Sequence, residues 1–214
     1  MPRYLLILEF DGGPFVGWQR QENGVSVQGA LEEAVFRFCG ERVTAHSAGR
    51  TDAGVHALAM PAHVDIEKET DAETVREAIN YYLKPAPIAA LSAARIDDDF
   101  HTRFSATRRH YRYRIVNRRA PLTLDAGRAW RLAPPLNVEA MNEAAQALIG
   151  KHNFTTFRAS TCQATTPVKT LSSISIARVG DEVVVETSAR SFLHHQVRSM
   201  VGSLVEVGLG RWSG

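Results

Sequence analysis

Residues Ser47 to Met60 read SAGRTDAGVHALAM. The stretch holds one acid, Asp52, two residues after Arg50, with Gly49 and Gly54 on either side. An Asp in a Gly-rich turn commonly bonds to its own backbone and closes the turn. Three features pull against that plain reading. Gly49 and Gly54 permit close backbone approach or positive φ beside the acid. Arg50 is near enough to face the same cleft. Ala48 and Ala53 leave room for a bulky ligand. A carboxylate near a cation stays ionised and can serve as a nucleophile at neutral pH.

The chain around this stretch has 214 residues, 44% of them apolar. That is enough for one large domain or two small halves with a real core. No run approaches the roughly 20 apolar residues of a membrane span. The start, MPRYLLILEFDGG, lacks the cleavage pattern of a signal peptide. Two isolated cysteines, Cys39 and Cys162, suggest neither a disulfide framework nor a zinc site. A reducing cytoplasm is the simplest setting for them. Net charge is only +2, but its distribution is uneven. HTRFSATRRHYRYRIVNRR, His101 to Arg119, carries seven arginines, two tyrosines, two histidines and no acid. Arginine forks with interleaved aromatics suit phosphate contact and base stacking. A strand with one solvated basic face is the alternative.

Periodicity predicts strands at Tyr4–Phe10, Arg42–His46, His63–Ile66 and Ala89–Ile96 in the first half. It predicts helices at Val27–Phe38, stopped by Gly40, and after Asp71, stopped by Pro85 and Pro87. The second half follows a similar order. His110–Val116 alternates as a strand, and Asn137 caps a helix that ends at Gly150. Ser172–Val179 and Glu182–Thr187 form a hairpin turning at Gly180-Asp181. Ser191–Val207 reads as a last helix. Ala120–Leu136 is the most loop-like stretch. Trp18 reads as core, and Lys151 and His152 as solvated. His46, His56 and His63 match no standard zinc spacing. His194-His195 reads as backbone contact to RNA or as packing.

The run GRTDAGVHA resembles the signature of the TruA-type tRNA pseudouridine synthases. FDGGPFVGWQRQ followed by SVQGALEEAV is similar to that family's N-terminal motif. FHTRFSATRRHYRYRI resembles its central basic-aromatic motif, and RSFLHHQVRSMVGSLVEVG its C-terminal one. The four stand in the right order and cover nearly the whole chain.

The resemblance implies an α+β fold of two similar halves. Each half is a mainly antiparallel sheet backed by helices, with a central RNA-binding catalytic cleft. The halves fall at residues 1–105, carrying the Asp loop, and 106–214, carrying the basic-aromatic strand and the Arg helix. It implies isomerisation of uridine to pseudouridine in the tRNA anticodon stem-loop, at family-typical positions 38, 39 and 40. It further implies that no cofactor or metal takes part and that the enzyme is a homodimer. Asp52 matches the catalytic nucleophile, which attacks either C1′ of the ribose or C6 of the uracil. Tyr111 matches the tyrosine packed on the target base, with Tyr113 on the same strand face. Arg198 matches the basic residue that pairs with the aspartate. Arg50 matches the arginine that fills the gap left by the flipped nucleotide. Extruding a stacked uridine costs a few kcal/mol, and arginine can both stack and bond in its place. Val55, Leu58 and Met60 are expected to keep the base in a dry site. Family members continue past the segment VGSLVEVGLGRW, whereas this chain ends at Gly214, which implies an unpaired sheet edge. Two other classes remain: an RNA-holding module without chemistry, and an Asp-dependent hydrolase. An intact Asp52, Tyr111 and Arg198 argue against the first. The arginine-tyrosine segment argues against the second.

Overall fold

The run YLLILEF is buried on alternate residues. In strand β1 (Arg3–Phe10), Tyr4, Leu6, Leu8 and Phe10 are 0–3% exposed, while Leu5 and Ile7 are half-buried. Such alternation marks a sheet with helices on one face. The computed structural model describes residues 1–213 and divides into two compact units, Met1 to Ala106 and Thr107 onward. Together they are α+β, each unit a mainly antiparallel sheet backed by helices. Among the described residues no helix is long and apolar enough to cross a membrane.

In the first unit β1 is flanked by β3 (Ala57–Asp65) and β4 (Ile88–Ile96), both antiparallel to it. The short β2 (His46–Ser47) pairs with β3 at one edge. Helix α1 (Val27–Cys39) starts at Ser26, whose hydroxyl accepts from the Gly29 N–H, and ends at Gly40 with φ 79°. Only a residue without Cβ takes that αL cap at little cost. Helix α2 (Ala72–Tyr82) is capped by the Asp71 carboxylate, which accepts from the Thr74 N–H. Leu31 and Val35 of α1 and Val75 and Ile79 of α2 are fully buried, and Trp18 is core as expected. Truncating one such aliphatic side chain to alanine costs about 2–5 kcal/mol.

The strand expected at Arg42–His46 shrinks to His46–Ser47. The reason is local competition. The N–H of Ala45 donates to Glu32 Oε1 and its carbonyl accepts from Gln28 Nε2, so side chains replace a strand partner. β3 in turn is longer than His63–Ile66, because Pro61, which breaks the pattern, still sits in the ladder opposite Ile7.

The sheet face away from α1 and α2 carries a histidine stack. His46 lies on His63 with centroids 5.0 Å apart, and His101 stands edge-on to His63 at 4.9 Å. The four-residue helix α3 (Thr102–Ser105), missed by periodicity, docks here. The Thr102 N–H and hydroxyl both meet Nδ1 of His63. An N–H can only donate, so Nδ1 carries a lone pair and the ring is neutral. Burial, aided by the charges of Arg3, His46 and His101 and opposed by Asp65, lowers the His63 pKa from 6.5 to about 4. The unfolded chain therefore takes up this proton near pH 6.5 and the folded chain only near 4. Stability is whole above 6.5 and falls as pH drops from 6.5 to 4, by up to about 3 kcal/mol at roughly 1.4 kcal/mol per pKa unit. The stability gap between wild type and His63→Asn, measured by denaturant unfolding, should shrink across that window. A gap independent of pH would show that His63 is not held neutral.

In the second unit the sheet order is β6-β5-β9-β8-β7. β5 (Arg109–Asn117), β9 (Glu182–Ala189), β8 (Val168–Val179) and β7 (Gly150–Asn153) pair antiparallel, and β6 (Trp130–Leu132) joins β5 in parallel. Helices α4 (Val138–Gln146) and α5 (Gln196–Gly208) cover one face, meeting Ile115, Ile174, Ile176, Val183 and Val185 through Met141, Ala145, Met200, Val201 and Leu204. A Cβ at Gly208 would lie 2.6 Å from the Met141 sulfur, so the close α4–α5 contact is made where glycine leaves room for that side chain. β6 and β7 were not expected; with three and four residues each, they are too short to show a period of two. Lys151 and His152 are exposed on β7.

The last helix begins at Gln196, five residues later than expected. His195 holds φ 64°, an αL conformation uncommon outside glycine. The Gln196 side chain, 1% exposed, accepts from the Leu193 N–H and closes the turn before the helix. Ser191 to Leu193 thus form an extended lead-in rather than a first turn.

Candidate active site

The loop from Ala48 to His56 joins two neighbouring antiparallel strands, β2 and β3. Its tip is a turn in which the Val55 N–H reaches the Asp52 carbonyl at 3.1 Å and Gly54 holds φ 75°. Glycine at the third turn position with positive φ fits a type II turn. Asp52 is half-buried, Arg50, Ala53 and Gly54 are exposed, and Thr51 and Ala48 are buried. Ala48 is therefore packing rather than ligand space.

A second segment, residues 11–18, grips this loop. The Trp18 N–H donates to the Thr51 carbonyl at 3.0 Å, and the Gly54 N–H reaches the Phe15 carbonyl at 3.4 Å. The Gly12 N–H donates to Nδ1 of His56 at 3.1 Å. A Cβ on Gly12 would stand 2.1 Å from the Val55 carbonyl oxygen, and one on Gly17 2.6 Å from that of Thr51. Gly17 also has φ 112°. The glycines that the Asp52 loop demands thus lie mainly in FDGGPFVGW. Spacing within the loop itself gave no sign of them.

Val55, Leu58 and Met60 do not form the expected dry wall within this unit. Leu58 is 69% exposed, and Val55 and Met60 are half-exposed. For Leu58 the cause is a bulge. β1 pairs Leu8 with Met60 and Phe10 with Ala57, so β3 carries one residue too many there and its alternation breaks. His46 and His63 stack while His56 binds Gly12, so these three histidines do not converge.

In the second unit the basic-aromatic segment divides by strand face. Tyr111, Tyr113 and Ile115 stand opposite Thr187, Val185 and Val183 of β9, on the helix-covered face. Tyr111 meets Phe192 edge to face at 5.1 Å, and Tyr113 meets Trp130 at 6.4 Å. Burial pushes the Tyr113 hydroxyl pKa up, and the charge of Arg198 opposes it. Arg198 itself is exposed in the first turn of α5, which contains no acid. A cation at a helix N-terminus costs about 0.3–1 kcal/mol, a placement that favours an anion nearby.

Arg112 and Arg114 alternate to the other face. Arg112 binds Glu186 through Nε and Nη2 at 2.9 and 2.6 Å. Arg114 pairs with Glu182 and with Asp125, and Arg118 lies 3.8 Å from Asp181. The segment has no acid of its own, but β9 and its turn supply them. Charge counting along one strand misses such cross-strand neutralisation. No ion pair is formed by Arg108 or Arg119 among the described residues.

A sequence profile described as tRNA pseudouridine synthase matches residues 6–105 and 144–214. Asp52, Arg50 and Arg198 fall inside the match and Tyr111 between its two parts. The tRNA pseudouridine synthase A of Maricaulis maris is 61% identical over 213 residues, covering 100% of this chain and 86% of the relative. Those of Paramagnetospirillum magneticum and Rhodospirillum centenum are 58% and 61% identical over the same length, with 83% and 87% of the relatives covered.

Proposed function

This chain belongs to the tRNA pseudouridine synthase family, and from that premise we propose that it isomerises uridine to pseudouridine in tRNA with Asp52 as nucleophile. The observation that carries the assignment is the Asp52 loop: a half-buried carboxylate on a turn held by a second backbone segment at two glycines. Such fixing is what attack geometry needs, and a solubility loop does not need it. The bond from N1 of uracil to C1′ breaks, the base turns, and C5 bonds to C1′ while the C5 proton leaves to N1. No atom is gained or lost, and no oxidant or cofactor is called for. Arg198 serves as charge partner of Asp52, Tyr111 as the wall against the base, and Arg50 as the group that fills the stack. The favoured target is the anticodon stem-loop, positions 38 to 40, and the working form a cytoplasmic homodimer. Incubation with unmodified tRNA and mapping of pseudouridine by chemical labelling tests the whole reading; an unmodified product overturns it.

Affinity for tRNA should fall steeply with salt, since each neutralised phosphate releases counterions and adds roughly 0.7–0.9 to the log–log slope. The arginines should not contribute equally. Arg108→Ala should lower the slope by about that amount. Arg112→Ala should leave it unchanged, because its guanidinium is committed to Glu186. Equal losses from both would show that the Arg112–Glu186 pair opens on RNA.

A further inference from the structure

Two polar side chains, Gln28 and Glu32, sit one turn apart on the buried face of α1 at 6% and 7% exposure. Buried polar groups cost free energy unless they are bonded, and these two are bonded to both chain segments that lead to Asp52, with only Glu32 Oε2 making an ion pair in place of a hydrogen bond. Gln28 Oε1 accepts from the Arg20 N–H at 3.0 Å and from Gln19 Nε2 at 2.9 Å. Its Nε2 donates to the Ala45 carbonyl and to Glu32 Oε1. Glu32 Oε1 also accepts from the Ala45 N–H, and Oε2 lies 3.0 Å from Nη1 of Arg20. The Gln28 backbone N–H, at the first turn of α1, donates to the Trp18 carbonyl. Trp18 in turn donates to Thr51, the residue before Asp52. Ala45 leads directly into β2 and the loop.

We infer that Gln28 and Glu32 are positioning residues for the reaction, setting the reach of the Asp52 carboxylate by fixing both arms of its support. The inference rests on Asp52 being the nucleophile. Nearly wholly buried, the pair is screened from direct contact with RNA and acts through the groups it holds, chiefly the peptide groups of Arg20 and Ala45. An apolar helix face would hold α1 on the sheet equally well, as Leu31 and Val35 do. What it could not do is bond the peptide groups of Arg20 and Ala45, which otherwise lack ladder partners. A displacement of about 1 Å at a reacting group can cost on the order of 100-fold in rate.

The test is single-turnover kinetics at saturating enzyme, beside tRNA affinity and melting. Gln28→Met keeps the volume and removes every side-chain bond. It should slow the chemical step 10- to 100-fold with tRNA Kd within threefold of wild type. Glu32→Gln keeps an acceptor for Ala45 and Gln28, so it should stay within about threefold in rate. A purely structural role would lower melting temperature and active fraction, with wild-type rate per active molecule. That result overturns the inference, as does a loss confined to Kd. Should Gln28→Met not fold, Gln28→Asn, too short to span Arg20 and Ala45 together, is read the same way. Failure of the wild-type protein to form pseudouridine, or turnover by Asp52→Asn, would instead strike the functional reading beneath.

Discussion

Replacing Asp52 with asparagine should abolish pseudouridine formation while leaving melting temperature and tRNA affinity close to wild type. The turn around Asp52 is closed by backbone, Val55 N–H to the Asp52 carbonyl, and its φ demand falls on Gly54. Asparagine suits the first position of such a turn as well as aspartate does. The Trp18 bond to Thr51 and the close approach of Gly12 and Gly17 to the loop are likewise made by main chain, and the Gly12 N–H bond goes to His56, not to Asp52. The fold therefore has little to lose. The chemistry has everything to lose, because an amide of the same size is a poor nucleophile at C1′ or at C6. The measurement is release of tritium from tRNA carrying 5-tritiated uridine, which reports loss of the C5 hydrogen. Asp52→Ala run in parallel guards against deamidation restoring the acid. Turnover by either pure variant would remove Asp52 from the reaction.

Much of this arrangement was legible in the sequence because its signals are local. The helix caps at Asp71 and Asn137 and the Gly40 stop follow from hydrogen-bond chemistry within four residues. The hairpin at Gly180-Asp181 turns where its dipeptide says. What escaped reading depends on partners distant in sequence. Arg42–Ala45 has strand-like composition, yet side chains of α1 capture the Ala45 peptide groups from 13 and 17 positions away. The arginines of β5 look like an open basic face until Glu182 and Glu186 are laid opposite them. Phe192 falls on a helical stripe in sequence, but the αL turn at His195 takes it off the helix and toward Tyr111. The glycines that shape the Asp52 loop were visible as residues. Their purpose was not, since Gly12 and Val55 meet across 43 positions.

Tyr111 is where a structural and a functional role separate most clearly, and its neighbour Tyr113 supplies the contrast. Both share one face of β5; Tyr113 packs against the apolar core of its unit, and Tyr111 meets Phe192 edge to face. An edge-to-face pair is worth about 0.5–1.5 kcal/mol beyond area burial, well below the 3–5 kcal/mol lost when a fully buried aromatic becomes alanine. Tyr113→Ala should therefore lower the melting temperature more than Tyr111→Ala does. For turnover the order should reverse. As the wall against the turning base, Tyr111→Ala should collapse single-turnover rate with melting shifted by only a few degrees. Tyr111→Phe keeps the ring and its contact with Phe192, so tRNA binding should survive. Its turnover should still fall strongly if the hydroxyl helps move the C5 proton, a role that needs hydrogen-bond reach. Melting curves beside single-turnover kinetics for these three variants decide the matter. If Tyr111→Ala melts early and turns over normally per folded molecule, Tyr111 is a packing residue and the stacking surface lies at Tyr113 or elsewhere.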